Sequence, residues 1–261
     1  MPHRLDITEA ARVLHQHRRT ATKLAALPPG LRPRDRAEGY AIQAALAAHS
    51  AHPVFGWKIA ATSEAGQKHI NVRGAMAGRI LAETVLPNGG TASMRGNVMW
   101  VGEPEFAFRM GRDLPPRSDR YSVAEVLAAV DTLDPAIEIP DSRFADFVNA
   151  GEAQLNADNA CANLFVFGSP ARNDWRARDL VEERPTITLR GDRYTGRGRK
   201  VLGDPRVALA WLANELRELG VTLKTGEIVT TGTCHPPPPI QSGDELVLDF
   251  GDMGQVSVKF A

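Results

Sequence analysis

Apolar positions in the first fifty residues recur at helical spacing. Leu5, Ala10, Val13 and Leu14 mark one stripe, and Tyr40, Ile42, Ala45 and Leu46 mark a second. Each stretch opens on an acidic cap followed three residues later by Glu, Asp6 with Glu9 and Asp35 with Glu38, so two helices with capping boxes are predicted. Leu27-Pro28-Pro29-Gly30 separates them and cannot continue a helix. From Val54 the texture changes to short apolar runs punctuated by Gly, Pro and Asp, which predicts strands of an antiparallel or mixed sheet. They fall near 54–60, 98–109, 134–140, 163–168, 185–190, 226–232 and 245–260, the last a hairpin that turns at Gly251-Asp252-Met253-Gly254 and closes the sheet. Two helices interrupt them. One starts at the Ser122 cap with Glu125 in the box position. The other starts at Asp204-Pro205, stops at Gly220 and carries Val207, Leu209, Trp211, Leu212, Leu216 and Leu219 on a broad face that packs on the sheet. The chain reads as α+β, with a helical lobe over residues 1–52 and a β-rich domain over 53–261 in one compact unit.

Charge narrows the possible partners. The 261 residues hold 31 Lys+Arg and 31 Asp+Glu, a net charge of zero, which leaves no basic excess to neutralise phosphates and argues against nucleic acid as a partner. No apolar run reaches the roughly 18–20 residues of a membrane span, and His, Arg and Asp interrupt residues 1–19 where a signal peptide needs an apolar core, so a cytoplasmic protein with no membrane partner is expected. Cys161 and Cys234 alone make neither a disulfide framework nor a closely spaced metal pair, and both thiols are expected to be reduced.

The chemistry concentrates in carboxylates. In the strand Val101-Gly102-Glu103-Pro104-Glu105-Phe106-Ala107-Phe108, residues two apart share a face, so Glu103 and Glu105 project together while Phe106 and Phe108 point the other way. Glu138 lies between isoleucines in Pro135-Ala136-Ile137-Glu138-Ile139-Pro140. Apolar neighbours around like charges call for a proton or a cation, and an all-carboxylate set suits a hard ion such as Mg²⁺ or Mn²⁺. The competing reading is a solvated strand face paired with Lys or Arg, with Pro104 marking an edge strand. Lys58, alone in the run Gly56-Trp57-Lys58-Ile59-Ala60, is an acid/base or carboxylate-anchor candidate, against a surface lysine that snorkels. The Gly-bracketed end of the 226–233 strand offers backbone N–H groups for an anion, against an ordinary loop. The basic run 190–200 reads as a solvated hairpin, and His69 and His235 as structural side chains. Phosphate-loop, dinucleotide, zinc-protease and serine-hydrolase motifs are absent.

Taken in order, GWKIAATS at 56–63, EPEFAFRMGRDLP at 103–115, PAIEIPDSRF at 135–144, ADNA at 157–160, ALAWLANELRELG at 208–220 and GEIVTTGT at 226–233 resemble the 2-keto-4-pentenoate hydratase and 4-oxalocrotonate decarboxylase branch of the fumarylacetoacetate hydrolase superfamily. The resemblance covers nearly the whole chain. It implies a mixed β-rich fumarylacetoacetate hydrolase-like fold with an N-terminal helical portion, a Mg²⁺ or Mn²⁺ held by Glu103, Glu105 and Glu138, an active-site Lys58, and a Thr233 that helps to bind a substrate carboxylate. It also implies a homo-oligomer and a small 2-oxo acid substrate, in the catabolism of aromatic compounds.

The activity this implies is a metal-dependent hydratase acting on a 2-hydroxydienoic acid such as 2-hydroxypenta-2,4-dienoate through a metal-stabilised enolate. Decarboxylation of the 4-oxalocrotonate type shares that enolate and is the second expectation. A C–C bond hydrolase of the wider superfamily and a catalytically silent, keto-acid-binding paralogue come after it. Hydratases of the branch carry an Asp two residues before a Gly where this chain has Met76, and serines where it has Ala160-Cys161. Both departures weaken the hydratase assignment relative to decarboxylase or a further, different activity, and neither touches the carboxylates.

Overall fold

The computed structural model describes residues 5–171 and 174–261, so the first four residues of the 1–19 segment lie outside the description. Helix α1 (Ile7–Thr20) begins at Asp6, whose carboxylate accepts the Glu9 N–H at 2.9 Å, and α2 (Arg36–Ala47) begins at Asp35, which accepts the Glu38 N–H at 2.9 Å. Each of these boxes is only half formed. Glu9 binds the Arg12 guanidinium, a stronger donor than a backbone amide, and Glu38 turns back past the cap to Arg34, accepting from both its backbone N–H and its guanidinium. The reciprocal box occurs at Ser122 and Glu125, at the start of α4 (Val123–Ala128).

The remainder forms two sheets rather than one. Strands β1 (Val54–Ala60), β2 (Met76–Leu81), β3 (Val85–Leu86), β5 (Glu103–Met110), β6 (Val130–Ile139), β7 (Leu164–Phe167) and β10 (Ile228–Thr233) make a seven-stranded mixed sheet in the order β2-β1-β10-β5-β6-β7-β3. Strands β4 (Thr91–Ala92), β8 (Thr186–Leu189), β9 (Asp192–Thr195), β11 (Glu245–Asp249) and β12 (Gln255–Phe260) make a five-stranded sheet in the order β4-β12-β11-β8-β9. The expected C-terminal hairpin is β11–β12, at the middle of this second sheet instead of at an edge of the first. Helices α3 (Glu64–His69) and α5 (Glu152–Ala157) join the expected α4 and α6 (Pro205–Glu218).

Three corrections have local causes. The strand expected from 98 starts at Glu103, because the Asn97 side chain accepts the Met99 and Trp100 N–H groups at 2.8 and 2.9 Å and Trp100 adopts a φ of 49°. Pro104 sits in a central strand, not an edge. Its carbonyl accepts from Cys234 N on the β10 side, so its missing N–H falls just past the end of β10, beyond the register shift between Thr230 and Thr233. Val207 on α6 is 44 % exposed, so the buried stripe narrows to Leu209, Leu212 and Leu216.

The two faces of the seven-stranded sheet do different work. Phe106, Phe108 and Ile137 point into the main core, where Phe106 meets Phe250 edge-on at 4.7 Å and α6 covers Trp57 and Val229. On the other face Gly56, Gly78, Ala107 and Ala136 keep the surface low, and the sheet curls around a small core of Ile80, Ala107, Ala136, Phe165 and Ile228. A Cβ at Gly56 would stand 2.0 Å from the Ile228 carbonyl oxygen, so the close approach of β1 and β10 requires glycine there. Helices α1, α2 and α5 close one end of this concave face, where Leu14, Ile42, Leu46 and Leu155 cluster with Met76 of β2. None of the described helices is long and apolar enough to cross a membrane.

Candidate active site

Strand alternation puts Glu103 and Glu105 on the concave face, and antiparallel register sets Glu138 of β6 directly opposite Glu103. One carboxylate oxygen from each residue lies within 4.8 Å of the others. Glu105 and Glu138 are fully buried and Glu103 is half-buried, which overturns the solvated-face reading. Lys58 is on β1, three strands from Glu138. Flat strands at about 4.8 Å spacing would leave them roughly 14 Å apart. The curl instead brings Lys58 Nζ to 3.0 Å from Glu138 Oε1, with 3 % of Lys58 exposed. The surface-lysine reading is overturned with it.

Few donors reach these carboxylates. The bulge in β10 turns the Gly232 N–H inward to Glu105 Oε2 at 2.9 Å, so the anion taken by the Gly-bracketed strand end is the protein's own side chain. Gly232 has a φ of 97°, and a Cβ there would strike Thr62 Oγ1 at 2.2 Å. Glu105 Oε1 and both Glu138 oxygens are buried without a hydrogen-bond partner, the Lys58 contact being one of charge and not an aligned hydrogen bond. Burial pushes the Glu138 carboxyl up to about 8, with Lys58 pulling it back and Glu103 pushing further. Burial, then Glu138 and Glu103, raise Glu105 well above the carboxylate range, and burial raises Glu103. Burial works to lower the Lys58 ammonium, but the fields of Glu138 and Glu103 outweigh it and its pKa is raised. The cluster strains the fold as three carboxylates and one ammonium, and it has the donor set of a hard-cation site.

Lys58 has a second partner that sequence reasoning did not find. Its Nζ donates to the Ala160 carbonyl at 3.0 Å. Ala160 belongs to a turn in which Asn159, Ala160 and Cys161 have φ of 57°, 50° and 62°, three consecutive left-handed residues without a glycine. At about 1–2 kcal/mol each, with Asn the most tolerant, this stores roughly 3–5 kcal/mol. Such strain persists only where neighbours impose it. The neighbours here are Asp158, which accepts from Ser142 and from the Arg143 backbone and guanidinium, and Asn159, whose amide bonds the Arg79 N–H and C=O at 2.7 Å each. Gly78 leaves the room: a Cβ there would lie 2.5 Å from the Asn159 carbonyl oxygen and 3.0 Å from the Lys58 stem.

A cavity of about 360 Å³ opens over Lys58 and Glu103. Ile70, Met99, Pro140, Ala160 and Pro236 supply apolar wall, and Thr233, His69, His235 and Lys200 supply polar groups. The two histidines read as structural therefore border the site, as does the last residue of the basic run. Sequence distance hid them, since α3 and the 233–237 loop meet only in the fold. The Thr233 hydroxyl lines the cavity but donates to the His235 carbonyl at 2.6 Å. Met76 faces the apolar cluster of Phe144, Leu155 and Cys161, with no exposure. Both cysteines are free and buried, and burial pushes the Cys161 thiol up to about 12.

Residues 81–261 match the model of the fumarylacetoacetate (FAA) hydrolase C-terminal family. The TodF product hydratase of Pseudomonas putida is 32 % identical over 210 residues, covering 79 % of this chain and 76 % of that protein. The 2-keto-4-pentenoate hydratase of Paraburkholderia xenovorans is 30 % identical over 256 residues, 97 % of this chain and 94 % of its own. Among solved structures, 4-oxalocrotonate decarboxylase from Pseudomonas putida, complexed with magnesium and adipate, superposes with a TM-score of 0.88 at 23 % identity over 98 % of this chain and 97 % of that one. The chain belongs to the fumarylacetoacetate hydrolase family, in its 2-keto-4-pentenoate hydratase and 4-oxalocrotonate decarboxylase branch, and is an enzyme of the lyase type.

Proposed function

We propose that this chain is a divalent-metal-dependent hydratase that adds water to a 2-hydroxydienoic acid of the 2-hydroxypenta-2,4-dienoate class. One observation carries the reading: three carboxylates converge in a buried pocket where Glu105 Oε1 and Glu138 Oε2 lack any donor and a single ammonium, Lys58, meets Glu138 Oε1. With the carboxylates ionised, the one Lys58 ammonium leaves that arrangement undercompensated, and a divalent cation would complete it. Glu103, Glu105 and Glu138 would hold the ion, and an all-oxygen set of this charge favours Mg²⁺ or Mn²⁺. When bound, such an ion supplies Lewis-acid stabilisation for negative charge that develops on a 2-oxo acid. The magnesium in the decarboxylase neighbour and the hydratase names of the relatives support the assignment.

The chain's own residues supply the rest. Lys58 Nζ has three donors; with one on the Ala160 carbonyl and its charge beside Glu138, it retains donor capacity for a substrate carboxylate or for a proton delivered at Nζ. Met99, Ile70 and the 236–237 prolines keep bulk water from the reacting carbons. Thr233 can turn its hydroxyl from the loop carbonyl to a substrate carboxylate, at the cost of one internal hydrogen bond. The second reading, decarboxylation of a 2-oxohex-3-enedioate, rests on the departure of the sequence from the hydratase pattern at Met76, which lies buried among Phe144, Leu155 and Cys161 and offers the cavity no acid/base group.

Incubation with 2-hydroxypenta-2,4-dienoate and with 2-oxohex-3-enedioate, with Mg²⁺ or with chelator and followed by NMR, separates the readings. Hydrated product from the first supports the proposal. Carbon dioxide from the second alone moves the assignment to decarboxylase, and no turnover of either ends both. Glu105→Ala is expected to lose Mn²⁺ binding and activity together, whereas Lys58→Ala loses turnover with the ion still bound. Tight Mn²⁺ binding by Glu105→Ala would overturn the ligand set.

A further inference from the structure

We infer that Asn159 is a positioning residue for Lys58: its side-chain amide clamps the left-handed 159–161 turn to the edge of β2 and thereby fixes the carbonyl that orients the lysine. The inference rests on the active-site role proposed for Lys58. Strand β2 is an edge of the seven-stranded sheet, with β1 on one side only, so the Arg79 N–H and C=O on its free side have no strand to pair with. Asn159 takes both, its Oδ1 accepting the N–H and its Nδ2 donating to the C=O, each at 2.7 Å. A side-chain amide thus does what a further strand would do at that position, and asparagine is the shortest side chain that carries a donor and an acceptor in one plane.

The consequence falls on the next residue. With Asn159 held at 2 % exposure and the backbone left-handed through Cys161, the Ala160 carbonyl faces Lys58 Nζ at 3.0 Å. The stem of Lys58 passes Gly78, which is also where the Asn159 carbonyl approaches most closely, so the turn and the lysine share one channel. Backbone bonds from Cys161, Ala162 and Asp141 hold the ends of the turn, but no other side chain in it ties it to β2. Asp158 is committed to Ser142 and Arg143, Cys161 carries no side-chain donor or acceptor of comparable strength, and three left-handed residues relax toward ordinary backbone once their restraint is lost. Release of the clamp frees the Ala160 carbonyl to turn away, and Lys58 keeps only Glu138.

Reductive methylation of the intact protein with mass-spectrometric readout at Lys58, using Lys259 as an exposed internal reference, tests this without relying on turnover. Asn159→Ala is expected to raise the Lys58 labelling rate relative to Lys259 at least tenfold, and to lower kcat on whichever substrate the native enzyme turns over at least tenfold with KM changed less than threefold. Asn159→Asp, which keeps the acceptor and loses the donor, should fall between native and Asn159→Ala in both readouts. Unchanged Lys58 labelling in a folded Asn159→Ala protein overturns the inference, as does a rise in KM with kcat intact. If Asn159→Ala does not fold, the Asp variant carries the comparison; if neither folds, the amide serves the fold at large and the inference is wrong. A native enzyme inactive on both substrates would end the proposed function, while the labelling ratio would still decide the clamp.

Discussion

Glu138→Gln should stabilise the metal-free protein and forfeit the stabilisation that a metal ion gives the native one, a pairing that no purely structural role for the residue produces. In the folded chain the Glu138 carboxyl is pushed by burial from an ordinary 4.5 to about 8. Across that window the native state keeps a proton that the unfolded chain has released, so native stability falls as pH rises from about 4.5 to about 8. At pH 8 the accumulated penalty is about 4 kcal/mol, from RT ln of the ratio of the two ionisation factors. Glutamine keeps the shape and does not ionise, so in chelator at pH 8 the variant should gain roughly 2–4 kcal/mol, with the lower end set by what Lys58 loses in its nearest counter-charge. With Mn²⁺ at a hundred times its dissociation constant the native protein should gain about 2.7 kcal/mol, and the variant little of it. Urea unfolding followed by tryptophan fluorescence, to which the buried Trp57 and Trp175 contribute, measures all four states, and repetition at pH 5 should shrink the chelator difference to under about 1 kcal/mol. A variant less stable than native in chelator at pH 8, or one stabilised by Mn²⁺ as much as native, refutes the cluster as a cation site.

Gly232→Ala must push a Cβ into Thr62 Oγ1 at a φ of 97° and withdraw the N–H from Glu105, so a loss of about 3 kcal/mol in urea together with weakened Mn²⁺ affinity is expected. Met76→Asp, which introduces the residue type that the hydratase resemblance leads one to expect there, should cost more than about 3 kcal/mol and add no hydration, since the side chain lies among Phe144, Leu155 and Cys161; faster hydration by a stable variant would show that the cavity reaches this position. Asp204→Ala should lower stability by about 1 kcal/mol through the α6 cap, with the midpoint in urea as readout and no change in metal affinity.

The elements that the sequence announced are those whose signals are local. The caps of α1, α2, α4 and α6 sit at the expected residues, and β1, β5 from Glu103, β6, β7, β8, β10 and the β11–β12 hairpin fall where short apolar runs place them. Strand β2 escaped notice because Met-Ala-Gly-Arg-Ile-Leu puts a glycine and an arginine inside an apolar run. Both are explained only by distant chain: Gly78 by the Asn159 turn, and Arg79 by stacking over the Trp57 ring at 4.7 Å with its guanidinium on Gln43. Strand β9 is polar and exposed, so its only signal is the Arg190-Gly191 turn that pairs it with β8. Trp100 shows the converse, an apolar run that reads as strand until the neighbouring Asn97 side chain takes its backbone N–H groups.

At the site, alternation alone puts Glu103 beside Glu105, because a two-residue period is a property of any strand. That Glu138 stands opposite Glu103, and not one residue away on the far face, depends on the β5–β6 register, which the flanking aromatic and aliphatic residues fix by having to reach the other sheet. The contact of Lys58 with Glu138 depends on a sheet curled tightly enough to shorten three strand spacings to a side-chain length, and the residues that permit the curl, Gly56, Gly78, Ala107 and Ala136, are informative only as a set on one face. Burial of the charges follows from that curl and from the helices over its end, so no window of sequence contains it. The same curl that assembles the site makes it costly: the tighter the sheet closes, the drier the carboxylates and the higher their pKa values. A cation in the pocket and a well-oriented Lys58 are therefore two halves of one electrostatic solution, and a variant that loosens either should be felt at the other.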